Sequence, residues 1–155
     1  MRSSNILPAG SWDAARAVDR VLLDFDHRHR RRLLLRTVGE AEVLLDLPHA
    51  VRLHDGDGLV LDDGRVIRVT AEPEILAEIS TDDPDKLAGI AWHLGNRHLP
   101  MQVSHSRIRI RADHVIEAMV AALGGHVEHV QMPFEPEAGA YTGGHHHHHG
   151  CEHDC

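Results

Sequence analysis

The sequence predicts an α+β protein with three parts: a small all-β domain, a ferredoxin-like β-α-β-β-α-β domain, and a disordered tail rich in histidine and cysteine. Three observations lead to this prediction. Residues 21–71 contain short runs of branched residues without helical periodicity, and strand and helix patterns alternate after residue 72. Residues 143–155 contain no aliphatic side chain. The predicted boundaries are therefore residues 1–72, 73–142 and 143–155.

The first predicted domain consists of short strands separated by turns. Asp63-Gly64 favours a tight hairpin, because both residues tolerate the backbone angles of a type I′ turn. The basic run at residues 27–32 is interpreted as a solvated strand edge, with docking of an acidic protein as the alternative. The predicted strands are residues 21–25, 33–36, 43–47, 59–61 and 66–70.

The second predicted domain alternates strands with two amphipathic helices. Asp83 and Pro84 favour the start of the first helix, and Gly95 is expected to end it. Asp113 is expected to cap the second helix, which should stop at Gly124. The predicted helical stripes are Leu87, Ile90, Ala91 and Leu94, then Ile116, Met119, Val120 and Leu123. The predicted strands are residues 75–79, a strand at Val103, residues 107–111 after a turn near residues 104–106, and residues 127–134.

Two histidines of the second domain are candidate metal ligands. His98 lies between the end of the first helix and Pro100, so its imidazole should sit on a short, stiff connection. His114 falls in the first turn of the second helix, where the positive helix end favours the neutral imidazole that binds metal. A capping, packing or solvated role is the alternative for each. Weaker candidates, expected to be solvated or packed, are His93, His105, His126 and His129.

The tail supplies a dense set of metal donors. Because it has no apolar side chains to bury, nothing offsets the entropy of ordering it, and a mobile arm is predicted. Imidazole and thiolate suit first-row transition metals. An affinity tag or a disulfide between the two cysteines are the alternatives. The candidate ligands are His145, His146, His147, His148, His149, Cys151, His153 and Cys155.

Charge and composition narrow the class of function. A formal net charge of -8 and 3% aromatic residues argue against nucleic-acid binding, which needs cationic surface and stacking platforms. The first twelve residues contain no apolar run like that of a signal peptide, and no window approaches transmembrane length. We therefore expect a soluble cytoplasmic protein with reduced thiols and no membrane partner.

Three motifs resemble one known family. They are the Gly95-Asn96-Arg97-His98 sequence, the Asp113-His114-Val115 start of the second helix, and residues 133–141 leading into a histidine-rich tail. Together they resemble the urease accessory protein of the E type, a nickel metallochaperone. The resemblance extends over residues 28–141.

The resemblance implies a function and a set of partners. Members of this family are homodimers joined through the ferredoxin-like domains, with the histidine matching His98 from each subunit sharing one Ni(II) ion. The tail matching residues 145–149 feeds that ion, and the β domain resembles a chaperone peptide-binding module. Nickel then passes through an accessory GTPase to apo-urease. Ala112 replaces a histidine found in some relatives, which weakens the case for a second site on the second helix.

We therefore expect a nickel-delivery protein without catalytic activity. Thiolates at Cys151 and Cys155 keep Zn(II) and copper open as alternative metals. Two other functions are alternatives: a metal storage or buffering protein that acts mainly through its tail, and an enzyme that uses His98 and Asp113 as an acid-base pair. The second alternative lacks a nucleophile or a recognisable catalytic motif.

Overall fold

The computed structural model describes residues 1–137, which form two β-sheets and two α-helices. The predicted α+β class is confirmed. The predictions made for the tail at residues 143–155 lie outside the described residues. Within residues 1–137, neither helix is long and apolar enough to cross a membrane.

The first sheet has six strands in the order β2-β6-β5-β1-β4-β3. β1 pairs with β4 and β2 with β6 in parallel, and the other neighbours are antiparallel. The inward side chains form one apolar cluster around Val43, Leu45 and Leu59, each fully buried. The strands are β1 Arg2–Leu7, β2 Ala17–Leu23, β3 His29–Arg36, β4 Glu42–Arg52, β5 Gly58–Leu61 and β6 Val66–Ala71.

The strand at the centre of this sheet was not predicted. β1 lies between β5 and β4, yet its sequence Arg-Ser-Ser-Asn-Ile-Leu has few residues with a high β-propensity. Ser3 is completely buried, and its hydroxyl donates to the carbonyl of Asn5. Pairing on both edges therefore overrides the weak local preference of this segment.

Two details of the predicted strands are corrected. β4 does not end at Leu47: it continues to Arg52 through a bulge, since Arg32 pairs with Asp46 but Arg30 pairs with Val51. The basic run is not uniformly solvated either. Arg30, Arg31 and Arg32 are exposed on β3, whereas Arg28 lies in a short 3-10 helix and is completely buried.

The second sheet has four antiparallel strands in the order β10-β7-β9-β8. Ala77, Ile79, Ile108 and Ile110 pack against both helices, so the helices cover one face of the sheet. The elements follow the chain as β7 Pro73–Ser80, α1 Pro84–Asn96, β8 Gln102–Ser104, β9 Arg107–Arg111, α2 His114–Ala122 and β10 His126–Pro133.

Both helices begin at the predicted caps. The carboxylate of Asp83 accepts the N–H of Asp85 at 2.9 Å, and that of Asp113 accepts the N–H groups of Val115 and Ile116. Asparagine, aspartate and serine caps stabilise a helix by about 1 kcal/mol relative to alanine. The predicted end of α1 is corrected: the helix continues through Gly95 to Asn96.

The uncovered face of the second sheet meets the first sheet through a small third cluster. Phe25 and Phe134 pack with ring centroids 5.2 Å apart beside Leu76, and all three are buried. Arg52 lies over the Phe25 ring at 4.1 Å, a cation–π contact. Burial, reinforced by the nearby charge of Arg28, lowers the pKa of Arg52. The junction is therefore apolar at its centre and cationic at its rim.

Candidate metal centre

Both candidate ligands of the second domain lie at one end of the four-stranded sheet. β8 begins at Gln102 and β9 ends at Arg111, and the two strands are antiparallel neighbours. The connection that precedes β8 and the connection that follows β9 must therefore lie side by side. We call this region, residues 97–101 and 112–114, the His98 end, and the opposite end, with the β8–β9 turn and the start of β10, the hairpin end.

A pocket of about 300 Å³ lies between the two connections of the His98 end. Leu99 and Pro100, which follow His98 in the chain, form one wall, and Ala112 and Asp113, which precede His114, form another. The floor consists of apolar side chains that belong to the core beneath the helices. The lining residues are Leu99, Pro100, Ile110, Arg111, Ala112, Asp113 and Ile116.

His98 has an unusual backbone conformation. It follows the C-cap of α1 with a φ of 56°, in the left-handed region. Its N–H donates to the carbonyl of Gly95 at 3.0 Å, and the N–H of Leu99 donates to that of Leu94 at 3.3 Å. These two bonds form a Schellman motif, in which the left-handed residue is usually glycine.

Histidine at this position is therefore costly to the fold. The left-handed conformation costs an L-residue roughly 1–2 kcal/mol, and glycine avoids most of that cost. The imidazole is exposed, so it does not recover the cost by packing in the core. Strain of this kind concentrates at functional sites, which favours a role for the side chain itself.

His114 is the first residue of α2, and it is exposed. Its neighbour Asp113 is engaged as the helix cap, and one carboxylate oxygen of Glu117 accepts the N–H of Asp113 at 2.9 Å. The other oxygen of Glu117 is hydrogen-bonded to the ring of His129. His114 is thus the neighbour of Asp113, which lines the pocket, while the carboxylates of Asp113 and Glu117 are engaged in hydrogen bonds.

The other histidines have the local roles that the sequence suggested. His93 packs its ring edge-on against Trp92 at 5.0 Å, and His105 lies in the two-residue turn between β8 and β9 with a φ of 50°. His126 lies 3.5 Å from a carboxylate oxygen of Glu128. His126 is exposed, so this ion pair contributes little to stability.

One chain does not supply a complete metal site from its described residues. Within residues 1–137, no group of three or more histidine, cysteine, aspartate or glutamate side chains is placed to hold an ion. Transition-metal sites in proteins commonly use three or four protein ligands. An ion bound by His98 would therefore need donors from outside residues 1–137 of the same chain.

The residues that sequence reasoning missed lie at the junction between the sheets. Arg28 donates to Glu135 at 2.6 Å and to the carbonyl of Phe134. A charged side chain with no exposed surface is rare unless it is paired. The burial of Arg28 could not be recognised from the sequence, because the residue lies within a run of basic residues that is typical of an exposed surface.

Comparison with known proteins identifies the family. The family model of the UreE urease accessory protein N-terminal domain matches residues 4–72, and that of its C-terminal domain matches residues 74–155.

Relatives named urease accessory protein UreE match across nearly the whole chain. The protein from Bradyrhizobium sp. (strain ORS 278) is 54% identical over 142 residues, which cover 92% of this chain and 67% of the relative. That from Beijerinckia indica is 50% identical over 92% of this chain and 82% of its own length. That from Azorhizobium caulinodans is 44% identical over 99% and 74%. The chain therefore belongs to the UreE family of urease accessory proteins.

Proposed function

We propose that this protein is a nickel metallochaperone that binds Ni(II) and delivers it during maturation of urease. The observation that carries the proposal is the exposed His98, held in a left-handed conformation directly before two residues that line a pocket, in a UreE family member. Imidazole is a suitable ligand for Ni(II). A rigid ligand of this kind defines a site, while incomplete coordination by one chain leaves positions open for ligand exchange with a partner.

We infer that residues 1–72 and 73–142 are separate domains and that the second is ferredoxin-like. In support, the second unit has the element order β-α-β-β-α-β, the strand order β10-β7-β9-β8 and both helices on one face. The two family models also meet between residues 72 and 74. The third part, residues 143–155, is the proposed metal-scavenging tail.

The proposed active species is a homodimer joined through the second domain. A two-fold axis near His98 would supply a second copy of that imidazole without any further ligand in the sequence. Apolar side chains are available for such an interface, since Trp92, Val103 and Val115 are each more than half exposed.

The tail would capture metal and pass it to the paired His98 residues. His145 to His149 and His153 offer exchangeable imidazoles, and Cys151 and Cys155 would add thiolates that also suit Zn(II) or copper. His114 would serve as an auxiliary ligand at the rim of the same pocket. Attachment to the fold raises the effective concentration of the tail ligands near the site, so weak individual contacts suffice.

The onward partners would be the accessory GTPase and apo-urease in the cytoplasm. The exposed Arg30, Arg31 and Arg32 on the edge strand β3 fit the acidic surface of a partner protein. The proposed role is that of a carrier, not a catalyst: Asp113, the potential acid-base partner of His98, is occupied as a helix cap.

Nickel titration by calorimetry tests the proposal. The full chain and a chain ending at Tyr141 would each be measured with and without His98→Ala, while the mass in solution is recorded. We expect one tightly bound ion per dimer that survives truncation and is lost with His98→Ala. His105→Ala is the matched control, because His105 is also an exposed histidine with a positive φ.

Two outcomes would contradict the proposal. Binding that disappears entirely on truncation would indicate a storage or buffering protein that acts through its tail. Equal losses in the His98→Ala and His105→Ala variants would show that the bound ion does not depend on the His98 end.

A further inference from the structure

The chain crosses the second sheet after its last strand ends. β10 forms one edge of that sheet and β8 forms the other. β10 ends at Pro133, paired with Pro73 of β7. Four residues later, the N–H of Glu137 donates to the carbonyl of Met101 at 2.7 Å, just before β8. We call residues 134–137 the crossing segment.

The crossing segment is only just long enough to span the sheet. From β10 to β8 there are three strand spacings, or about 14 Å at about 4.8 Å each. Four extended residues cover roughly 14 Å. The segment must therefore run almost straight across the sheet. The strand order sets the distance that it has to span.

Contacts to both sheets hold the crossing segment. At its start, Phe134 is completely buried, and the Arg28 guanidinium donates to its carbonyl oxygen. The Glu135 carboxylate accepts from Arg28 at 2.6 Å and from the N–H of Asp55 at 3.1 Å. His54 lies 3.2 Å from the second oxygen of Glu135.

Further contacts tie the end of the segment to β8. The N–H of Glu135 donates to the side-chain oxygen of Gln102 at 3.2 Å, and the carboxylate of Glu137 accepts the N–H of Val103 at 3.3 Å. Together with the bond to Met101, which lies three residues after His98, they place Glu137, the last described residue, against the connection before β8.

We propose that the crossing segment is a positioning element, which moves the origin of the tail from the β10 edge to the β8 edge, beside Met101 in the connection that carries His98. This inference rests on the proposed function for its purpose, but its geometry can be tested without nickel. His145 is eight residue steps after Glu137, so the length of the chain limits the first tail imidazole to within roughly 28 Å of Glu137. Without the crossing, the tail would start at the far edge of the sheet. Gln102 and Glu137 are its positioning residues.

The two cysteines, both in the tail, provide the probe. A nitroxide label on Cys151 in a full-length Cys155→Ser chain would broaden the amide NMR signals of nearby residues. We expect stronger broadening at residues 95–101, near the β8 edge, than at residues 130–132, which lie at the same end of the sheet on the β10 edge. The released variant combines Gln102→Ala with Glu137→Pro. It removes the acceptor of the Glu135 N–H, the N–H that donates to Met101 and the carboxylate that accepts the N–H of Val103. Phe134, Arg28 and Glu135 are retained.

In this released variant, broadening at residues 95–101 should fall at least twofold, with the melting temperature close to that of the parent. Ser104→Ala, on the same strand but outside the crossing, should leave the broadening unchanged. Gln102→Ala alone is the milder variant if the pair unfolds. The rate of nickel transfer from the tail to the His98 site should also fall several-fold, while the number of bound ions stays the same.

The outcomes separate the two proposals. Unchanged broadening in the released variants, or a parent chain that broadens the β8 and β10 edges equally, would overturn the positioning role. An unchanged transfer rate despite reduced broadening would also overturn it, because position would then not matter for delivery. A parent chain with no ion dependent on His98 would instead overturn the proposed function, whatever the label reports.

Discussion

The two ends of the four-stranded sheet carry similar histidines in very different surroundings. The His98 end has His98 and His114, and the hairpin end has His105 and His126. His98 and His105 even share a left-handed backbone. The His98 end also has a pocket between its two connections, and Glu137, the last described residue, is hydrogen-bonded to Met101 there. An exposed imidazole alone therefore does not define a candidate metal site; the neighbouring connections do.

The left-handed histidines also arise for different reasons. At the hairpin end, His105 and Ser106 both have positive φ, as a two-residue type I′ turn requires. At the His98 end, a left-handed residue is required because a Schellman motif ends α1 shortly before Pro100. Glycine would suit both positions better, and the histidine is more informative at the His98 end, where its connection borders a pocket.

The largest effect that we predict on stability tests the packing beneath the His98 end. Phe134→Ala should lower the free energy of unfolding by about 3–5 kcal/mol, because it removes a fully buried ring between the two sheets. Urea denaturation would measure the loss. Phe134→Leu is the control and should cost less than about 1.5 kcal/mol, since most of the apolar volume is retained. Similar costs for both variants would argue against a packing role.

The next prediction compares the second histidine at each end. His114→Ala should weaken nickel binding to the chain ending at Tyr141 by about tenfold, equivalent to about 1.4 kcal/mol, without abolishing it. His126→Ala should have no effect, because its ring lies near Glu128 at the hairpin end. Calorimetric titration would distinguish the two, and equal affinities would remove His114 from the proposed site.

Replacing His98 by glycine should separate function from stability. The His98→Gly variant should lose the tightly bound ion, yet be more stable than the parent by about 1 kcal/mol, because glycine adopts the left-handed conformation without strain. Thermal unfolding of the metal-free protein would measure the gain. A loss of stability would show that the imidazole stabilises the fold, which would weaken the functional interpretation of its strain.

The smallest effect that we predict concerns the uncovered face of the sheet. Hydrogen bonds from Arg109 and Arg107 lower the pKa of Glu78 below its usual value. The folded state therefore binds fewer protons than the unfolded state as pH falls through the range below the usual glutamate pKa. This contribution to stability is present above that range and is lost on acidification.

Glu78→Gln should reduce the dependence of stability on acidic pH, as measured by denaturation at several pH values. Glu128→Gln is the matched control, because Glu128 is directly opposite Glu78 on β10 but is exposed. An equal change in both variants would show that the two arginines are not responsible.

Much of the second domain could be predicted from local sequence. Asp83 and Asp113 cap helices where the pattern placed them, because capping depends on a side chain and an N–H two or three residues away. The end of α1 was less predictable: Gly95 remains helical, and His98 occupies the left-handed position. The presence of a glycine does not by itself identify which residue closes a helix.

Features that depend on distant pairing could not be predicted. β1 is a strand because β4 and β5 pair with it on both edges, although its own residues favour no particular structure. Arg28 is buried because Phe134 and Glu135, more than a hundred residues away, receive its hydrogen bonds. Neither partner can be identified from the local pattern.

The sequence by itself determined the α+β class, the helix caps, the candidate ligands and the family resemblance, because each depends on residue chemistry at short spacing. Only the tertiary structure placed the connections of His98 and His114 on one pocket and brought the chain across to the β8 edge. Those placements follow from the order of the strands in the sheet, which is set by long-range hydrogen bonding and burial. Strand order cannot be inferred from any single segment of the chain.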